Sequence, residues 1–369
     1  MKTIIKYTWI VIVAITLNSC NEEVISSEDG KQTAVVYGLL SENDSKHYIR
    51  INRAIFAGGN SLEIAGIADS SYFDQVDATI SEYIDGTVTR TWNLTDTLIE
   101  NKEAGAFYYP EQKVYYFQTD PAAPLIADAK TIYKLEASIN NGEFVVKGET
   151  PLVSGMFINN PKESAQFNFA NSNIEENGYA STTISVNTGN ASKIEISLNV
   201  QFKEFIGTDL FATKSFVWNI REFEGGDLNG SSVSAGANGQ TFYDLVKLNA
   251  TDNDAITKRQ LEHIIISQNG AEEDLQKYLL VNKPSSSLTQ SKPVYTNLSA
   301  TNEMRVLGVF SSRGSYERIK PDWKQVSSST YYRCLNKNST KELCLGTITG
   351  SLLFCSDNPA DGSESYFCP

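Results

Sequence analysis

Thr131-Ile132-Tyr133-Lys134-Leu135-Glu136-Ala137-Ser138-Ile139, then Asn140-Asn141-Gly142-Glu143 and Phe144-Val145-Val146, is the stretch whose reading decides the fold. Tyr133, Leu135, Ala137 and Ile139 alternate with polar residues, the period of a strand with one face in a core. Asn141-Gly142 turns the chain, because Asn and Gly tolerate the positive φ that a tight hairpin demands. Phe144 and Val146 return, and Thr150-Pro151 ends the run.

The same signature recurs upstream. Ala34–Leu40 is an apolar run suited to a buried strand, and Ile49 and Ile51 alternate with Arg50 and Asn52. Ala78–Leu94 reads as a second hairpin: Ile80 and Ile84 lead in, Asp85-Gly86 turns, and Val88, Trp92 and Leu94 lead out. About seven short strands over about 120 residues predict an immunoglobulin-like sandwich. Downstream, Ile194, Ile196, Leu198, Val200 and Phe202 share one face, with Phe216–Ile220 as their partner. Glu222–Gln240, rich in Gly and Ser, reads as a flexible loop. Thr241–Leu248 and Ala271–Leu280 read as short helices, and Leu261–Ser267 and Val306–Phe310 as core strands. The predicted fold is mainly β: two β-sandwich-like domains, the first Ig-like, a few short helices and a cysteine-rich C-terminal tail.

The N-terminus carries an address. Lys2 and Lys6 precede an apolar run from Thr8 to Leu17, and Asn18-Ser19-Cys20 follows. A basic start, a short apolar stretch and a small residue before a cut make a secretory signal peptide. The run is shorter than the about 20 residues of a membrane-spanning helix. A cysteine directly after the cut marks a bacterial lipoprotein, so Cys20 is the expected site of acylation. Several acyl chains at about 0.8 kcal/mol per buried methylene would hold such a protein at a membrane almost permanently. The segment after Cys20 contains Asn21-Glu22-Glu23 and Ser26-Ser27-Glu28-Asp29-Gly30, which reads as an acidic tether and a surface-export signal. The expected layout is a signal peptide over 1–19, a tether over 20–31, the Ig-like sandwich over 32–151, a second β-rich domain over 152–325 and a Cys-rich tail over 326–369.

Charge and cysteines narrow the partners. The formal charge is −13, and removal of residues 1–19 takes it to −15. With no basic cluster, nucleic acid is not an expected partner. Cys334, Cys344, Cys355 and Cys368 all fall in the last 36 residues of the chain. In an oxidising compartment four such cysteines read as two disulfides of unspecified pairing, with unpaired thiols as the alternative. Zinc is disfavoured, since there is no C-x-x-C and no histidine nearby.

Val36-Tyr37-Gly38-Leu39-Leu40, His47-Tyr48-Ile49-Arg50-Ile51-Asn52-Arg53 and Phe107-Tyr108-Tyr109-Pro110 resemble strings of a Bacteroidota outer-membrane lipoprotein family of unknown function. Asp274-Leu275-Gln276-Lys277-Tyr278 and Leu307-Gly308-Val309-Phe310-Ser311-Ser312-Arg313 resemble it as well. The likeness spans about residues 33–320 and leaves out the four-cysteine tail. It implies an outer-membrane lipoprotein with an N-terminal Ig-like domain, in a setting similar to accessory lipoproteins of TonB-dependent uptake channels. It implies no catalytic residues.

Catalytic signatures are sparse. His47 and His263, the two histidines, read as structural. G-x-S-x-G, H-E-x-x-H and a P-loop are absent from the sequence. Asp252-Asn253-Asp254 lacks calcium-loop spacing. Val114-Tyr115-Tyr116-Phe117 offers an aromatic platform for a sugar or peptide, or simply core. The functional expectation is a non-enzymatic, lipid-anchored binding or accessory protein at the outer membrane, facing the cell exterior, without a cofactor. A TonB-dependent channel is the expected partner. The alternatives are a surface adhesion or structural protein and, behind it, a carbohydrate-active hydrolase, which needs only a suitably spaced pair of carboxylates.

Overall fold

The computed structural model describes residues 33–54, 71–100, 111–228, 232–283, 294–327 and 331–369. The signal segment, Cys20, the tether and Phe107–Pro110 lie outside the described residues. Eight strands follow one another first: β1 (Thr33–Leu40), β2 (Lys46–Ala54), β3 (Val76–Ile84), β4 (Thr87–Asn93), β5 (Thr95–Glu100), β6 (Glu111–Gln118), β7 (Thr131–Ile139) and β8 (Phe144–Thr150). Then come β9 (Met156–Asn160), helix α1 (Ile174–Asn177), β10 (Ser181–Thr188), β11 (Lys193–Ile206), β12 (Asp209–Glu224), β13 (Ser232–Asn238), α2 (Gly239–Asn249), β14 (Lys258–Ala271) and α3 (Glu273–Asn282). The chain closes with β15 (Ser299–Ala300), β16 (Arg305–Pro321), β17 (Trp323–Gln325), β18 (Tyr331–Arg333) and α4 (Lys337–Leu345). The fold is mainly β and sandwich-like, as expected.

Both predicted hairpins form. Asp85 and Gly86 take φ of 48° and 78° between β3 and β4, and the β7–β8 turn places Asn140, Asn141 and Gly142 at positive φ. Tyr133, Leu135, Ala137 and Ile139 are buried, and Lys134 and Glu136 are exposed. Their sheet runs β15-β8-β7-β3-β4 and packs on β1, β2 and β6 through a core that includes Ile49, Ile80, Leu135 and Phe310.

One strand joins the two halves. Residues Arg305–Ser312 of β16 pair in parallel with β1, and Arg313–Pro321 pair antiparallel with β14. The result is one eight-stranded sheet in the order β12-β11-β14-β16-β1-β2-β6-β5. The first sandwich therefore draws β15 and half of β16 from beyond residue 151. In the second sandwich the expected face Ile194–Phe202 is buried against β13-β10-β9, α2 and the tail.

Two expectations are corrected. Glu222–Gln240 is not a loop throughout: Ser232–Asn238 forms β13 and pairs with β10. Val233, Ala235 and Ala237 point inward while Ser232, Ser234 and Gly236 face out, so the strand alternates in residues too small to stand out in the sequence. The second correction concerns the cysteines. Cys355 and Cys368 are bonded, whereas Cys334 and Cys344 are unbonded and buried. Those two pack among apolar side chains of the second core and act there as small hydrophobes. Burial pushes both thiols up, Cys344 to about 12, which keeps them protonated and unreactive. The tail is thus part of the second sandwich rather than an appendage.

Candidate functional site

β16 changes partner between Ser312 and Arg313, and a cleft of about 470 Å³ opens beside that point. This size falls within the range of ligand clefts, which favour such junctions. Its floor is the β14–β16 pair over Asn269–Ala271 and Arg313–Ser315, where Gly270 stands opposite Gly314 and leaves room on the far face of the sheet for Met156 and Val153. One wall is apolar, made by Leu275 and Leu279 of α3. The other walls carry Asp44, Glu195 and Glu317 against Lys193 and Arg313.

The wall of α3 is held firmly. Glu272 donates its N–H to the Ser312 carbonyl at 3.1 Å and accepts from the Ser311 hydroxyl at 2.7 Å. The same carboxylate accepts the Asp274 N–H at 2.8 Å, capping the helix. Asp274 in turn accepts from Tyr295 and from Asn297, and the Asn297 side chain both donates to and accepts from the Phe310 backbone. The charges inside the cleft are looser. Arg313 lies 3.4 Å from Asp44, with its side chain 60% exposed, so the pair is open to exchange with a ligand. Lys193 is held by Glu222 at 2.7 Å and Glu317 by the Ser267 hydroxyl at 3.2 Å. A surface of both signs beside two leucines suits a small polar ligand with an apolar part.

The residues singled out in the sequence do not gather here. His47 is buried at the end of the first sandwich, its ring stacked on Phe117 at 4.6 Å. His263 sits in the β14 strand, at the bulge where the β11 register shifts. Tyr115 and Phe117 point into the core, and Tyr116 pairs across the strand with Tyr48. The Lys46 ammonium lies 4.0 Å from the Tyr116 ring and 5.2 Å from Tyr48, so this aromatic platform already holds a cation of the chain itself. Asp252–Asp254 lies in a turn whose Asn253 side chain caps Ala255. No group of three His, Cys, Asp or Glu side chains suited to a metal occurs among the described residues. No helix of the described residues is long and apolar enough to cross a membrane.

The cleft itself was not foreseen. In the sequence Arg313 is only the last residue of a structural string, and Lys193 and Glu195 carry no signal of their own. Their meeting depends on β16 pairing with two partners far away in sequence.

No protein-family model matches the chain, and no curated protein matches it. Two solved structures are similar at a low level: a β-glucuronidase of Bacteroides uniformis, and Bacteroides uniformis β-glucuronidase 2 covalently bound to cyclophellitol-6-carboxylate aziridine. Each is 9% identical with a TM-score of 0.12, over 75% and 76% of this chain respectively. The chain spans about a quarter (26%) of the length of either. A likeness of that size identifies no shared fold and carries no functional argument.

Proposed function

We propose that the chain is a lipid-anchored binding or accessory lipoprotein of the outer membrane, displayed on the cell exterior, whose ligand surface is the cleft at the junction of the sandwiches. The observation that carries this reading is Cys20 at the end of a signal-like segment and ahead of an acidic stretch. Twelve residues lie between Cys20 and Thr33, a reach of at most roughly 40 Å at about 3.3 Å per residue. A lipid there would keep the cleft close to the membrane, where a TonB-dependent channel would receive what it binds. The sparse catalytic signatures favour binding over chemistry.

The test is Cys20→Ser. The variant is expected to move from the membrane to the soluble fraction in a carbonate wash, and retention at the membrane would refute the anchor. Purification in mild detergent then separates the two non-enzymatic readings. A stoichiometric β-barrel channel is expected for uptake, and its absence would favour adhesion.

A further inference from the structure

The outward face of the second sandwich is unlike that of the first. On β7 and β8, Lys134 pairs with Glu149 and Lys147 with Glu136 across the strands, at 2.9 and 2.8 Å, as a solvated sheet face commonly does. On β12, β11, β14 and β16 the register sets Val217, Asn199, Ile265 and Ile319 side by side in one row. The next row on one side runs from Asn219 to Glu317, and on the other from Ser215 to Pro321. Of the twelve residues in these three rows only Glu317 carries a formal charge, in a chain whose net charge is −13.

Strand alternation creates this face. Leu198, Val200, Ile264 and Ile266 turn into the core, so their neighbours turn outward. Val217 is 65% and Ile319 59% exposed, and Ser215, Asn219 and Pro321 are exposed beside them. Branched apolar side chains held in water on a face depleted of charge mark an interaction surface.

We propose that this face binds the same face of a second copy of the chain, about a two-fold axis that runs along the strands between β11 and β14. That axis lays β12 of one copy over β16 of the other, and β11 over β14. Val217 then meets Ile319 on both sides of the axis, and Glu317 meets the amide of Asn219, which can donate to it. Packed sheets keep their strand directions within about 30°, which preserves these matches near the centre.

Charge, area and the position of the N-terminus all select a second copy. A like-charged face of so acidic a chain would repel itself, whereas this one does not. With one further row at each end, four strands about 4.8 Å apart and five rows about 6.8 Å apart cover roughly 650 Å² per copy. The total of roughly 1,300 Å² lies inside the range of specific interfaces, at its small end. Thr33 pairs with Arg305 at the start of β16, and an axis along the strands keeps Thr33 of both copies at the same end. Tethers of at most roughly 40 Å can then reach one membrane from both copies. An axis across the strands would send the two ends apart, and β16 with its 17 residues spans roughly 55 Å. The choice of axis rests on the anchored reading of Cys20, and the choice of face does not.

Sedimentation equilibrium of the whole protein in density-matched mild detergent tests the proposal. A dimer mass is expected at about 100 µM, as suits a small interface. Val217→Lys and Ile319→Glu each press a charge against an apolar partner and should weaken the dimer at least about tenfold. Both sites are exposed, so the melting temperature at about 1 µM, where the protein is monomeric, is expected to stay within about 2 °C. The two substitutions together set opposite charges against each other across the axis and should recover most of the dimer. A monomer at about 100 µM would overturn the proposal, as would single variants that associate as tightly as the unaltered protein. A double variant no tighter than the single ones would overturn it as well, because Val217 and Ile319 then do not meet. The carbonate wash of Cys20→Ser reports on the anchor alone, so that reading and this one fail separately.

Discussion

His47 shows how one residue's environment fixes its chemistry. Its ring is 1% exposed, and neither nitrogen has a hydrogen-bond partner. Burial lowers its pKa below the ordinary 6.5, with Asp44 pulling the other way. The folded protein therefore holds fewer protons here than the unfolded chain, and stability falls as pH drops from 6.5 through the lowered value. His47→Phe keeps the stacking and removes the titration. Between pH about 7.5 and about 5 its melting temperature is expected to fall less than that of the unaltered protein, and equal falls would refute the assignment. The sequence marked His47 as structural because no partner motif surrounded it. It gave no sign of the orphaned ring nitrogens, which only packing against Phe117 creates. Two buried carboxylates make the opposite case. Glu204, fully buried, accepts from Arg259 at 2.8 Å, and Arg259 also donates to the Leu352 and Thr251 carbonyls, which ties the tail to the sheet. Glu82 accepts from Arg90, Thr89 and Tyr133, and Arg90 also donates to the Ala123 and Pro124 carbonyls. Breaking such a pair from one side costs several kcal/mol because the other charge stays buried.

At the scale of elements, β16 carries the architecture. Gly308 takes φ of +102°, and a Cβ there would sit 1.9 Å from the Val36 carbonyl oxygen. Only glycine lets β16 lie against β1 at this point. Gly308→Val is expected to destabilise the protein by about 3 kcal/mol or more, read as a lower denaturant midpoint. An unchanged midpoint would show that β1 and β16 part without cost. The hairpins were legible because Asp85-Gly86 and Asn141-Gly142 state their turns locally and the flanking residues are large. α2 and α3 were legible within two residues at their ends. β13 was not, because alanines and one valine bury little area apiece and the Ser and Gly between them read as loop. The full length of β16 was not legible either. Only Val306–Phe310 is an apolar run, while Ser311 and Ser312 continue along β1 and Arg313–Pro321 is set by pairing with β14.

For the molecule as a whole, the shared sheet predicts coupled behaviour. Two sandwiches joined by a flexible linker would unfold separately, whereas these share a strand that each needs to complete its sheet. Thermal unfolding is expected as a single transition, with calorimetric and van't Hoff enthalpies in agreement. Two resolved transitions would mean that β16 is dispensable to one half. The same continuity is why the cleft has firm walls: Ser41–Asp44, β14 and α3 meet the strand that crosses the junction, and β11 joins them through β14.

The sequence by itself determined the β class, the two tight turns, the main buried faces and the signal-like segment ending at Cys20. Each of these is written in a short window, by side-chain period, by turn chemistry or by the order of charge and apolar residues. Tertiary structure alone decided that β16 serves both sandwiches, that Cys355 bonds Cys368 while Cys334 and Cys344 fill a core, and that Lys193, Leu275 and Arg313 line one cleft. Those features depend on which distant segments lie side by side, a matter of long-range pairing and enclosure that no local pattern encodes.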